Sequence, residues 1–111
     1  MKDDSFYLRH ILECISRIEE DIAGGVEEFR ASRMAQDAVL RNLQVLSESF
    51  QRLSGTLKSR WPHVEWAQIA AFRNVLVHDY LGLDLERIWA VTQQDIPELK
   101  KNIKLMLGET A

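Results

Sequence analysis

Six apolar residues, Val39, Leu43, Leu46, Phe50, Leu53 and Leu57, recur at alternating steps of four and three. That spacing matches the turn of an α-helix and not the two-residue period of a strand. A seam this regular packs lengthwise against neighbouring helices at a shallow angle, as in a helical bundle. The rest of the chain agrees. Leu8, Ile11, Leu12, Ile15, Ile18 and Ile22 form a second helical stripe. Asp3, Asp4 and Ser5 offer an N-cap for it, and Gly24-Gly25 a stop, so the spacing predicts a helix over 4–23. The long seam predicts a second helix over 26–59, with a break near Ala31-Ser32. Trp61-Pro62 ends it, because the residue before a proline is pushed out of helical geometry.

A third helix is predicted over 64–80, with Ile69, Phe72 and Leu76 on its core side and Gly82 as terminator. Asp84 can cap a short fourth helix through Leu85, Ile88 and Trp89. Asp95 and Glu98 resemble a capping box around Pro97, opening a last helix through Leu99, Ile103 and Met106. No segment reads as a strand. The expectation is an all-α, antiparallel bundle of four to five helices, forming a single domain over 1–111.

With 111 residues and a 46% hydrophobic composition, the chain can bury a real core without disulfides or metals. Cys14 is the only cysteine, which excludes an internal disulfide and a cysteine-based metal site and suits a reducing, cytoplasmic setting. Met1-Lys2-Asp3-Asp4 lacks an apolar signal core, and no stretch approaches the roughly 18 apolar residues of a membrane span. The net charge of −3 is unevenly spread. Residues 1–29 carry 3 basic and 8 acidic groups, whereas residues 30–60 carry 6 basic and 2 acidic. The basic middle is either a surface for a phosphate backbone or a solvated helix face.

The segment Phe72-Arg73-Asn74-Val75-Leu76-Val77-His78-Asp79-Tyr80 is the most informative about chemistry. At about 100° per residue, Asn74 and His78 share a face one turn apart. Arg73 and His78 are about 140° apart around the axis, yet a long arginine can reach round to a shared cleft. A neutral imidazole at His78 can take the proton of a ribose 2′-hydroxyl. The guanidinium at Arg73 can hold phosphate oxygens and stabilise charge building on phosphorus. Asn74 can orient the imidazole, and Tyr80 can stack on a base or donate to phosphate. Such chemistry needs no metal and no cofactor. The bare pattern is weak, with about 0.7 chance matches to Arg-x4–6-His expected in a chain of this composition. The competing reading is a capped helix end with a surface Arg73–Asp79 pair.

Glu48, mid-helix near the seam, is either a solvated charge or a partner for Arg73. Trp66 and Trp89 read as core or interface anchors, and Trp61 as loop packing. His10 and His63 read as surface or half-buried polar groups, and Cys14 as a small buried hydrophobe.

Taken together, Asp37-Ala38-Val39, the Glu48 region, Trp66, and Arg73-Asn74 with His78-Asp79-Tyr80 resemble the HepT-like branch of the HEPN superfamily. The resemblance runs from Phe6 to Leu107. It implies a bundle that forms a homodimer with both Arg/His pairs at the junction. It also implies a metal-independent endoribonuclease acting on RNA, the toxin of a toxin–antitoxin pair. The partner would be a minimal nucleotidyltransferase antitoxin that transfers AMP to Tyr80. In that reading Arg73 and His78 are catalytic, with Asn74 and Glu48 in support. The chain departs from the family pattern at Ser47-Glu48-Ser49-Phe50, where Gly-Glu-Ala-Ala is common, and at Ala71-Phe72, where Gly-Met is frequent. The alternative is a non-catalytic dimeric module that binds a nucleotidyltransferase.

Overall fold

The computed structural model describes residues 3–78 and 84–110, with side chains at all of these except 75, 77, 78, 109 and 110. Among the described residues every regular element is helical. The elements are α1 (Asp4–Asp21), α2 (Val26–Ala31), α3 (Arg33–Gln51), α4 (Gly55–Arg60), α5 (Trp66–His78), α6 (Leu85–Ala90) and α7 (Ile96–Thr110), with a π-helical turn, Val91–Asp95, joining the last two. No described helix is long and apolar enough to cross a membrane.

Helix α1 starts where the Asp3 carboxylate accepts the backbone N–H of Phe6 at 3.1 Å. It buries Leu8, Ile11, Cys14, Ile15 and Ile18, one stripe of its surface. Gly25, at φ +92°, makes the turn that follows, a conformation closed to most side chains.

The expected break near Ala31-Ser32 is present. Ser32 is extended, and its hydroxyl accepts from Ala35 N at 3.1 Å, capping α3. The Gln36 amide donates to the carbonyls of Phe29 and Arg30, both at 3.0 Å, so the kink leaves neither exposed without a donor. A second break was not legible in the pattern. Helix α3 ends at Gln51, and Ser54 caps α4 by accepting from Leu57 N at 3.1 Å. Asp4 stabilises this break from α1, accepting Ser54 N at 2.8 Å and Ser54 Oγ at 2.6 Å. All six seam residues are nonetheless buried.

The register of side-chain contacts gives the helix directions. His10 and Asp4 of α1 meet Ser49 and Ser54, so the start of α1 lies at the end of α3. Gln44 and Glu48 of α3 meet Leu76 and Arg73 of α5 in reverse order. Glu19 near the end of α1 pairs with Lys100 near the start of α7 at 3.0 Å. Neighbours are therefore antiparallel, and α1, α3, α5 and the α6–α7 rod form the all-α bundle that the apolar spacing predicts.

That last rod differs from expectation. No separate capped helix begins at Asp95. Ile96 N instead donates to Val91 O, five residues back, so the chain passes from α6 to α7 through the widened turn. Pro97 explains it. Proline has no N–H to give and its ring crowds the preceding turn, and a π-turn relieves both. Thr92 Oγ1, in this turn, donates to Trp89 O at 2.6 Å.

Candidate active site

Helix α5 carries Arg73 and Asn74 beside α3, and the two helices are locked in register by polar contacts. Arg73 Nε and Nη2 donate to Glu48 Oε1 at 2.9 and 2.7 Å. Arg73 Nη1 donates to Asn74 Oδ1 at 3.3 Å. Of the two readings left open for Glu48, the structure shows the partner of Arg73, on a carboxylate side chain that is still 44% exposed. The arginine side chain is 26% exposed, so the guanidinium is braced on one edge while still reached by solvent. A guanidinium has five N–H donors, and these contacts use three. Further donors on Nη1 and Nη2 are left for an anion.

One turn before Glu48, Gln44 Nε2 donates to Leu76 O at 3.0 Å. Leu76 is among the last residues of α5, whose carbonyls lack intrahelical donors. Gln44 thus satisfies the end of the helix that carries the motif. Nothing in the pattern of the sequence singled it out, since a glutamine beside a seam has no signature of its own. Its one cue is the four-residue step to Glu48.

His78 is the last residue of α5, and its backbone lies one helical turn beyond Asn74. Its side chain, and all of Asp79 and Tyr80, lie outside the described residues. Of the proposed site, the described side chains therefore bring together Arg73, Asn74 and Glu48.

The departures from the Gly-Glu-Ala-Ala pattern are accommodated locally. Ser47 and Ser49 are both buried. Ser47 Oγ donates to Leu43 O at 2.7 Å, and Ser49 Oγ shares a 2.8 Å hydrogen bond with His10 Nδ1. Phe50 is buried against Trp66, with ring centroids 5.7 Å apart. Trp66 in turn donates to Trp61 O at 3.0 Å. Trp89 packs on Phe29 at 5.4 Å, so both tryptophans are core anchors as expected. Cys14 is buried, and burial pushes its thiol above the usual value.

A groove opens on the other side of Glu48, between α1 and the second half of α3. Tyr7, His10, Ser49 and Arg52 are among its lining residues, and Glu48 belongs to both it and the Arg73 contact.

Comparison with known proteins adds to this geometry. The profile of a family described as "Ribonuclease HepT-like" matches residues 11–106. The chain is 37% identical over 109 residues to "Gamma-glutamylcyclotransferase and putative RNase MJ0434" of Methanocaldococcus jannaschii. That match covers 97% of this chain and 49% of the relative, so the chain spans about half of that protein's length. It is 33% identical over 108 residues to "Putative RNase TTE0752" of Caldanaerobacter subterraneus subsp. tengcongensis, covering 96% of each. It is also 34% identical over 97 residues to "Probable ribonuclease HepT" of Thermococcus cleftensis, covering 85% of this chain and 86% of that one. No solved structure matches the chain.

Proposed function

The chain belongs to the HepT-like ribonuclease family of the HEPN superfamily, and on that footing we propose that it is a metal-independent endoribonuclease with Arg73 and His78 as its catalytic pair. The observation that carries the reading is the braced guanidinium. Glu48 and Asn74 hold Arg73, itself partly exposed, on α5 five residues before the backbone position of His78.

His78 takes the proton from a ribose 2′-hydroxyl, and the oxygen attacks the adjacent phosphorus. The bond from phosphorus to the 5′-oxygen breaks, and the departing oxygen receives a proton from the imidazolium. The products are a 2′,3′-cyclic phosphate and a 5′-hydroxyl. Arg73 donates to the non-bridging oxygens as negative charge builds there. Pre-orientation by Glu48 avoids the cost of ordering the guanidinium during the reaction.

Two copies meet along α5 and bring two Arg73/His78 pairs to one cleft. Exposed Ala67 and Ala71 on α5 support this, because small residues let helices approach closely. The enzyme acts in the cytoplasm as the toxin of a toxin–antitoxin pair. A minimal nucleotidyltransferase restrains it by transferring AMP from ATP to the Tyr80 hydroxyl, with pyrophosphate leaving. The added phosphate sets a negative charge and bulk beside the catalytic pair, which repels RNA.

The test is cleavage of an end-labelled single-stranded RNA, with and without chelator, beside DNA of the same sequence. Expected are cyclic-phosphate ends, unchanged rates in chelator and intact DNA. Cleavage of the DNA, or loss of cleavage on chelation, contradicts the mechanism. An RNA left intact by a chain that still binds a nucleotidyltransferase favours a non-catalytic module.

A further inference from the structure

We propose that the groove between α1 and α3 is a nucleobase subsite, holding the base of a nucleotide adjacent to the phosphate that Arg73 binds. The inference rests on the ribonuclease reading above and names where the flanking RNA lies.

Three observations carry it. First, the groove and the Arg73 contact share one residue. Glu48 braces the guanidinium through Oε1 and also lines the groove, so the groove and Arg73 flank one side chain. Second, the groove combines the groups that hold single-stranded RNA. Phe6 and Tyr7 present aromatic rings, packed edge to face at 5.3 Å, and Phe6 is 41% exposed. A base has a π-face that such rings can cover whatever its identity. Arg52, exposed at the end of α3, forms no ion pair among the described residues. It is a cation available to a backbone phosphate. Third, the polar wall is fixed in advance. His10 Nδ1 is tied to Ser49 Oγ at 2.8 Å, and Ser49 is buried. The imidazole is therefore oriented by a hydroxyl that solvent does not reach, and Nε2 is its remaining polar atom for the edge of a base.

The charge pattern of α3 extends the track. Arg41, Glu48 and Arg52 fall within about 40° of one another around the helix, so Arg41 continues the same face. It is exposed and, among the described residues, also without an ion pair. Two cations of the basic middle, Arg41 and Arg52, thus share the face of α3 that carries Glu48, the partner of Arg73.

The test is binding of a fluorescent 2′-O-methyl oligoribonucleotide, which the enzyme cannot cleave because the attacking hydroxyl is blocked. Phe6→Ala is expected to weaken binding about tenfold with the salt dependence unchanged, as for loss of one stacked base. Phe6→Leu keeps the apolar contact and should weaken it similarly, which separates stacking from packing. Arg52→Gln is expected to lower the slope of log affinity against log salt by about 0.7, one phosphate contact on a single strand. Arg60→Gln, an exposed cation outside the groove, should stay within about twofold of wild type. Wild-type binding that is unchanged in the Phe6 and Arg52 variants overturns the groove alone. An Arg60→Gln effect equal to that of Arg52→Gln also overturns it, since the attraction would then be diffuse. If the wild-type chain binds no RNA, the ribonuclease reading falls, and the subsite with it.

Discussion

A single carboxylate oxygen, Oε1 of Glu48, accepts both Nε and Nη2 of Arg73, at 2.9 and 2.7 Å. The two side chains are 26% and 44% exposed, so solvent screens the pair and its share of stability is at most about 1 kcal/mol. Its value is orientation. Glu48→Gln keeps an acceptor at Oε1 but removes the charge. The expected outcome is a thermal midpoint within a few degrees of wild type and a kcat lowered about tenfold, with KM unchanged or lower. Steady-state kinetics on one RNA checks this. A proportional loss of stability and activity would make the contact purely structural.

Phe50 replaces a small residue common in the family, and it is buried against Trp66. Phe50→Ala should therefore cost about 3–5 kcal/mol, as expected for a large core truncation. Because Trp66 opens the helix that carries Arg73, activity should fall even where the variant remains folded. Denaturant unfolding and cleavage assays on the same preparation measure both effects.

Cys14 gives a prediction about pH. Its thiol is held above its usual value by burial, which outweighs the nearby Arg17. A raised folded-state value means that the contribution to stability is full below the unfolded value and is lost as pH rises through the folded one. Stability should therefore decline through the alkaline range in wild type, and less steeply in Cys14→Ala. Near neutral pH, alkylation of the native thiol should be at least about 10²-fold slower than in denaturant. Equal rates would mean that this part of the core opens freely.

Tyr80 lies outside the described residues, and its role is proposed from the family. Incubation with a minimal nucleotidyltransferase and ATP should add the mass of one AMP and suppress RNA cleavage. Tyr80→Phe should remain active and gain no mass. Modification elsewhere in the chain, with activity retained, would remove Tyr80 from the regulatory account.

The sequence revealed burial more faithfully than it revealed breaks. Every seam residue from Val39 to Leu57 is inside, yet the helix stops at Gln51 and a new one starts at Gly55, with Leu53 in the break. A local pattern cannot see that Asp4, fifty residues earlier, accepts both polar hydrogens of Ser54. The same limit applies to the last rod. Asp95, Pro97 and Glu98 have the local chemistry of a helix start, but packing keeps the chain helical and a π-turn absorbs the proline. In the candidate site, the polar residues that interrupt the apolar helix point to Arg73 and Asn74, which the structure places in contact. Glu48 was ambiguous because its partner is 25 residues away, and Gln44 was invisible for the same reason.

The central claim is that Arg73 and His78 act on one phosphodiester. It is tested most directly by single-turnover cleavage of one defined RNA by wild type, Arg73→Ala and His78→Ala, each with wild-type helicity. The expected result is loss of at least about 10²-fold in both variants, the usual effect of removing a transition-state donor or a general base. Cleavage by Arg73→Ala at the wild-type rate would contradict it.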